Sequence, residues 1–164
     1  MAAHHPPEEA AWVYGHAHDP NPLPPAGDGV FVVHTLDGRE VAFTPAALAQ
    51  LPYTEVAGCL IVSTGHGASG PFTFGGVELT ALLAHVDGQA ARLAIWRQVD
   101  VISADGFGTR LLPAQLVSEG PILLAYRRDG QSLTRAEGLV RLIVPSERDD
   151  ALRQVKWVAK IAIT

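Results

Sequence analysis

The sequence predicts an α+β domain with mixed or antiparallel sheets. Strand-like runs are many and short, helical patterns are few and brief, and strand and helix do not alternate in the rhythm that a parallel βαβ sheet requires. The 164 residues suit one domain. Hydrophobic residues make up 48% and charged residues 18%, which gives a real core and too little charge for a disordered chain.

Val30 to Thr35 is rich in β-branched and aromatic residues and predicts a strand. Asp37-Gly38 supplies a hairpin turn, and Glu40 to Phe43 returns as a second strand. Thr44 is placed as an N-cap, with Pro45 at the first helical position and Ala46 to Leu51 behind it. Glu55 to Ser63 predicts a long strand with Cys59 near its middle. Thr64 to Pro71 is expected to be a Gly-rich loop, Phe72 to Phe74 a short strand, and Gly75-Gly76 a turn. Glu78 to Val86 places Leu79, Leu82, Leu83 and Val86 on one helical face.

The second half continues in short pieces. Ala91 to Ser103 contains a strand interrupted by Arg97 and Gln98, Asp105 to Gly108 turns, and Thr109 to Leu112 is a strand. Pro113 opens a single helical turn. Pro121 to Arg127 and Leu139 to Val144 predict strands, with a turn at Asp129-Gly130. In Val155 to Ile163, alternation puts Val155, Trp157, Ala159, Ile161 and Ile163 on one face of a half-buried strand.

Residues 1–29 read as an N-terminal arm and residues 30–164 as the folded domain. The arm carries Pro20, Pro22, Pro24 and Pro25, which rule out a helix or a central strand. Trp12 and Tyr14 are its candidate anchors. His4, His5, His16, His18 and Asp19 could collect zinc or nickel, but their spacing matches no tight signature, and a polar arm is the simpler reading.

A formal net charge of −5 gives no reason to expect nucleic acid or an anionic membrane as partner. No run reaches the ~18 apolar residues that span a bilayer. The single cysteine, Cys59, excludes an intramolecular disulfide and a Cys-rich metal site. Residues 1–7 do not form a signal peptide. A complete chain of this kind is expected in the cytoplasm, and one from which a leader has been removed in the periplasm.

The ordered segments FTPAALAQLP, FGGVELTALL, VISADGF, ILLAYRRDGQSL, VRLIVP and VKWVAKIAIT, spanning Phe43 to Thr164, resemble the oxidoreductase molybdopterin-binding domain, the catalytic core of sulfite oxidases and their bacterial relatives. The resemblance implies a sulfite-oxidase-type α+β fold. It also implies a pyranopterin that carries molybdenum, with one protein cysteine as a further thiolate ligand.

Two departures from that pattern stand out. Thr64 falls where the family cysteine belongs, and a threonine hydroxyl cannot replace a thiolate. The loop 146–153 holds Glu147, Asp149 and Asp150 where the family has glycine and aromatic residues, and those charges would repel a phosphate. Lys156 matches the family lysine that grips the pterin phosphate, and Arg148 and Arg153 lie in the loop before it. His66 sits in the Gly-rich loop as a candidate for binding or proton transfer, and Gly65, Gly67 and Gly70 would let amides approach a phosphate. Phe107 replaces the tyrosine that family members often carry in the Asp-Gly turn. Arg97, Arg110 and Arg141 are possible anion contacts, and each also reads as a surface or paired arginine.

Three functions follow. The leading expectation is a fold relative without a molybdenum cofactor, a binding or accessory module for a small anion or a redox protein, with Thr64, His66, Arg148 and Lys156 at its site. The alternatives are a molybdopterin-dependent oxidoreductase that uses Cys59, and a non-catalytic assembly domain.

Overall fold

The structure is a computed structural model that describes residues 26–63, 67–88, 96–146 and 155–164. The arm up to residue 25, with its histidines and its two aromatic residues, lies outside the described residues. In chain order the elements are β1 (Phe31–His34), β2 (Glu40–Phe43), α1 (Pro45–Leu48), β3 (Thr54–Ser63), β4 (Gly67–Glu78), α2 (Leu79–Val86) and β5 (Val99–Ser103). Then come β6 (Gly108–Leu111), α3 (Pro113–Ser118), β7 (Leu123–Arg128), β8 (Gln131–Ser132), β9 (Arg141–Ile143) and β10 (Val158–Ile163).

Two sheets form. The first runs β2-β1-β10-β5-β6; the second runs β3-β4-β7-β8, with β9 also paired to β7. β10 lies parallel to β1, with Val33 opposite Ile161, and antiparallel to β5. Every other recorded strand pair is antiparallel. The expected class of mixed sheets with a few short helices is therefore what the chain forms.

Local chemistry sets the early elements. In β1, Phe31 and Val33 are fully buried while Val32 and His34 are half-buried, the period-2 pattern of a strand with one core face. Thr44 Oγ1 accepts the Ala47 N–H at 3.0 Å and caps α1, and Pro45 needs no donor at that position. This helix ends at Leu48, three residues short of the expected stop.

The Gly-rich segment is a correction. From Gly67 onward it is strand, and Phe72 to Glu78 continues the same twelve-residue β4 without a turn at Gly75-Gly76. Those glycines are needed for close packing. A Cβ on Gly76 would lie 2.0 Å from the Leu124 carbonyl oxygen, and one on Gly75 would lie 1.9 Å from the Tyr53 hydroxyl. Sequence alone reads a Gly pair as a turn; here neighbouring groups occupy the space that side chains would fill.

The main core draws on both sheets and all three helices, with Phe31, Leu48, Val77, Leu82, Leu111, Leu116, Leu124 and Ile161 among its members. Burying each large apolar side chain contributes about 1.5–3 kcal/mol. A smaller cluster occupies the other face of the second sheet: Cys59, Phe74, Leu123, Ala125, Leu133 and Ile143. Parity along β9 separates the two. Val140, Leu142 and Val144 enter the main core, whereas Ile143 joins the smaller cluster, and Arg141 shares its parity.

Candidate anion-binding site

Arg141 stands in the run Val140-Arg141-Leu142-Ile143-Val144, where every neighbour is apolar. Its exposure is 6%. Strand parity sends its side chain to the smaller-cluster face, where the guanidinium lies 5.6 Å from the Phe74 ring centroid. Nη1 donates to the Glu137 carbonyl at 3.3 Å, and Nε has no hydrogen-bond partner among the described residues. Burial pushes its pKa down to about 10, with Glu137 opposing the shift and Arg128 adding to it, so Arg141 stays charged at neutral pH. A buried charged donor left without an acceptor costs on the order of 1–3 kcal/mol or more.

Lys156 lies on the neighbouring stretch. The Leu142 N–H donates to the Val155 carbonyl at 2.8 Å, and the Val158 N–H donates to the Val140 carbonyl at 3.0 Å, which holds residues 155–158 beside β9. Lys156 is half-buried, not a solvated edge lysine. Burial lowers its pKa; Arg141 lowers it further, while Asp105 and Glu137 raise it. Lys156 thus lies within electrostatic reach of Arg141, Asp105 and Glu137.

The turn 134–138 anchors both. Thr134 and Glu137 cap each other: the Thr134 N–H donates to Glu137 Oε1 at 3.0 Å, and the Glu137 N–H donates to Thr134 Oγ1 at 3.3 Å. Glu137 Oε2 also forms an ion pair with Arg128 Nη2 at 2.8 Å. Arg128 stacks over Phe72 at 4.7 Å, and Phe72 meets Phe74 edge-on at 5.9 Å. Glu137 thus lies within reach of all three cations, Arg128, Arg141 and Lys156, while Asp105 reaches Lys156. Glu137 is already engaged with Arg128, and Asp105 Oδ1 accepts the Phe107 N–H at 3.1 Å. Among the described residues the surplus charge is positive and partly desolvated, the condition that favours an anion.

Two left-handed residues flank the lysine's contacts. Leu139 has φ 57° and Trp157 φ 49°. For a bulky L-residue this costs about 1–2 kcal/mol. Three hydrogen bonds hold Trp157: its N–H donates to the Gly138 carbonyl at 3.0 Å, its carbonyl accepts the Ala104 N–H at 2.8 Å, and its indole Nε1 donates to the Arg135 carbonyl at 2.6 Å. The expected alternation of Val155 and Trp157 on one face is corrected by this turn. Val155 and Val158 both enter the main core, three positions apart.

The other residues singled out by sequence separate clearly. Thr64, His66 and Arg148 lie outside the described residues, as does Arg153. Cys59 is 2% exposed, packs in the smaller cluster, and its Sγ lies 3.4 Å from the Val56 carbonyl. Arg110 is paired with Asp100 through contacts of 2.8 and 3.2 Å. Arg97 is exposed. Phe107 packs partly on the main core.

Sequence reasoning named Arg141 only as one of three equivalent arginines, gave Trp157 only a place on a strand face, and passed over Arg128 and Glu137. The usable signal for Arg141 was a lone charge inside a wholly apolar strand. Thr134-x-x-Glu137 was also legible as a capping box.

Known proteins supply a frame for this geometry. The sequence pattern of the oxidoreductase molybdopterin binding domain matches residues 30–164. Among solved structures, the chain is similar to the sulfane dehydrogenase SoxCD from Paracoccus pantotrophus, with a TM-score of 0.63 and 20% identity. That match covers 82% of this chain and 37% of the other, so the likeness shows the fold for one part of a longer protein. No curated protein matches this chain.

Proposed function

Because this chain belongs to the family of oxidoreductase molybdopterin binding domains, we propose that it keeps the fold and its phosphate-gripping end and works as a binding module for an anionic group held between Arg141 and Lys156. The observation that carries this reading is the guanidinium of Arg141, buried to 6% exposure with Nε unpartnered among the described residues, in a group of surplus positive charge. A tetrahedral oxyanion or a phosphate monoester has the charge and the acceptors to complete it.

The described residues fit the two ends of a pterin cofactor unequally. Arg141 and Lys156 suit the phosphate. A metal needs an exposed thiolate or its equivalent, and Cys59 is enclosed by Phe74, Leu123, Ala125, Leu133 and Ile143. Among the described residues no group of three or more His, Cys, Asp or Glu side chains is placed to hold a metal ion. No redox step is routed through the described residues, and the chemistry proposed for them is recognition. No helix among the described residues is long and apolar enough to cross a membrane.

Calorimetric titration with inorganic phosphate tests the reading. Native protein binds one phosphate per chain, and Lys156→Gln weakens it by about tenfold, the equivalent of ~1.4 kcal/mol. Equal binding by native protein and Lys156→Gln would refute the assignment.

A further inference from the structure

We propose that Trp157 is the positioning residue for Lys156: its left-handed turn, locked by the indole N–H on the Arg135 carbonyl, directs the lysine away from the core and toward Arg141. This inference rests on the anion-binding reading above.

The argument starts from strand periodicity. In an extended strand, residues 155 and 157 share one face and residues 156 and 158 share the other. Val155 and Val158 are both in the main core, at 0% and 2% exposure. An uninterrupted strand that buried Val158 would carry Lys156 inward with it. The left-handed backbone at Trp157 resets the parity, so both valines stay inside and Lys156 leaves the core. A register irregularity between Val158 and Lys160 in the pairing with β5 follows directly after this turn.

The clamp beside it holds the lysine from a second side. Gly138, at φ 112°, faces the Lys156 stem; a Cβ there would lie 3.1 Å from Lys156 Cβ. The Lys156 Nζ lies 5.6 Å from the centre of the Trp157 ring. The same 134–138 turn supplies the Glu137 carbonyl to Arg141 and the Arg135 and Gly138 carbonyls to Trp157. One turn thus fixes both cations relative to each other, which geometry-sensitive recognition of an anion requires.

Trp157→Phe keeps a ring and removes the indole donor. Two measurements on the full chain read the outcome. The first is the titration of the Lys156 amine, followed by NMR. Among the described residues, the charged groups that reach this amine are Arg141, Asp105 and Glu137. In Trp157→Phe the amine titrates at higher pH than in native protein, because it returns to solvent. The second is phosphate affinity in a double-mutant cycle. Trp157→Phe weakens binding about tenfold alone and adds nothing in the Lys156→Gln background.

An unchanged Lys156 titration, or effects that multiply across the cycle, would overturn the inference, since a purely structural tryptophan acts independently of the lysine. Should native protein bind no phosphate, the anion-binding reading falls. The NMR titration then decides the role of Trp157 by itself.

Discussion

Arg141 donates from Nη1 to the main-chain carbonyl of Glu137 at 3.3 Å, so a buried charge in β9 is tied to a turn rather than to a carboxylate. That turn is also held by the reciprocal Thr134–Glu137 cap and by Trp157. The guanidinium's charge is offset only in part, by the Glu137 carboxylate nearby. Four expectations follow from the structure.

Arg141→Met separates stability from binding. A charge buried without a full set of partners is often replaced by an apolar side chain of similar volume at no loss, or with a gain of about 1–4 kcal/mol. We expect the melting temperature of Arg141→Met to equal or exceed that of native protein while phosphate binding is lost. A variant that both unfolds earlier and still binds phosphate would show that the guanidinium is purely structural.

Gly76→Ala strikes the centre of the second sheet. The added Cβ would meet the Leu124 carbonyl at 2.0 Å, where the β4–β7 ladder cannot yield cheaply. Chemical denaturation should show a loss of about 3 kcal/mol or more. At Gly106, φ is 90° but the space beside it is open, so Gly106→Ala should lose only about 1 kcal/mol.

Glu137 gives the fold an acid limit. Hydrogen bonds from Thr134, with Arg128 and Arg141 nearby, hold its carboxyl below the ordinary value of 4.5, against some desolvation. A depressed folded pKa contributes stability above the unfolded value, and that contribution fades as pH falls through the folded one. The stability gap between native protein and Glu137→Gln should therefore be constant near neutrality and close below about pH 4.5. Because the Arg128 partner is 39% exposed, its share of the gap is small, about 1 kcal/mol or less.

Lys156 sets an alkaline limit on binding. Burial and Arg141 lower its pKa, so the ammonium form is lost at a pH below that of an ordinary lysine. Sulfate, compared between native protein and Lys156→Gln to set aside Arg141 with its pKa of about 10, keeps its charge over this range. Its affinity should fall as pH rises through the lowered lysine pKa. Without sulfate, the same linkage makes the fold more stable with rising pH, because the unfolded chain binds more protons there. Affinity that stayed flat to the ordinary lysine range would show that the amine takes no part.

Much of the fold was legible in the sequence because its cues are local. Thr44-Pro45 marks a helix start, Asp37-Gly38 a hairpin, and Leu79, Leu82, Leu83 and Val86 a single helical face. The β4 segment misled because Gly75 and Gly76 serve tertiary contacts to Tyr53 and Leu124, which no local rule reveals. Trp157 misled for a similar reason. Its left-handed backbone is imposed by bonds to Gly138, Ala104 and Arg135, all distant in sequence. Lys156 could be found from its motif alone, whereas the partnership of Arg141 with it depends on β9 and residues 155–158 lying side by side.

Metal and pterin analysis of protein produced in a host that synthesises the molybdenum cofactor tests the central claim most directly. The claim is that this chain retains the anion grip of its family without a thiolate for the metal. We predict molybdenum far below one atom per chain, unchanged in Cys59→Ser. Stoichiometric molybdenum that disappears in Cys59→Ser would contradict the account.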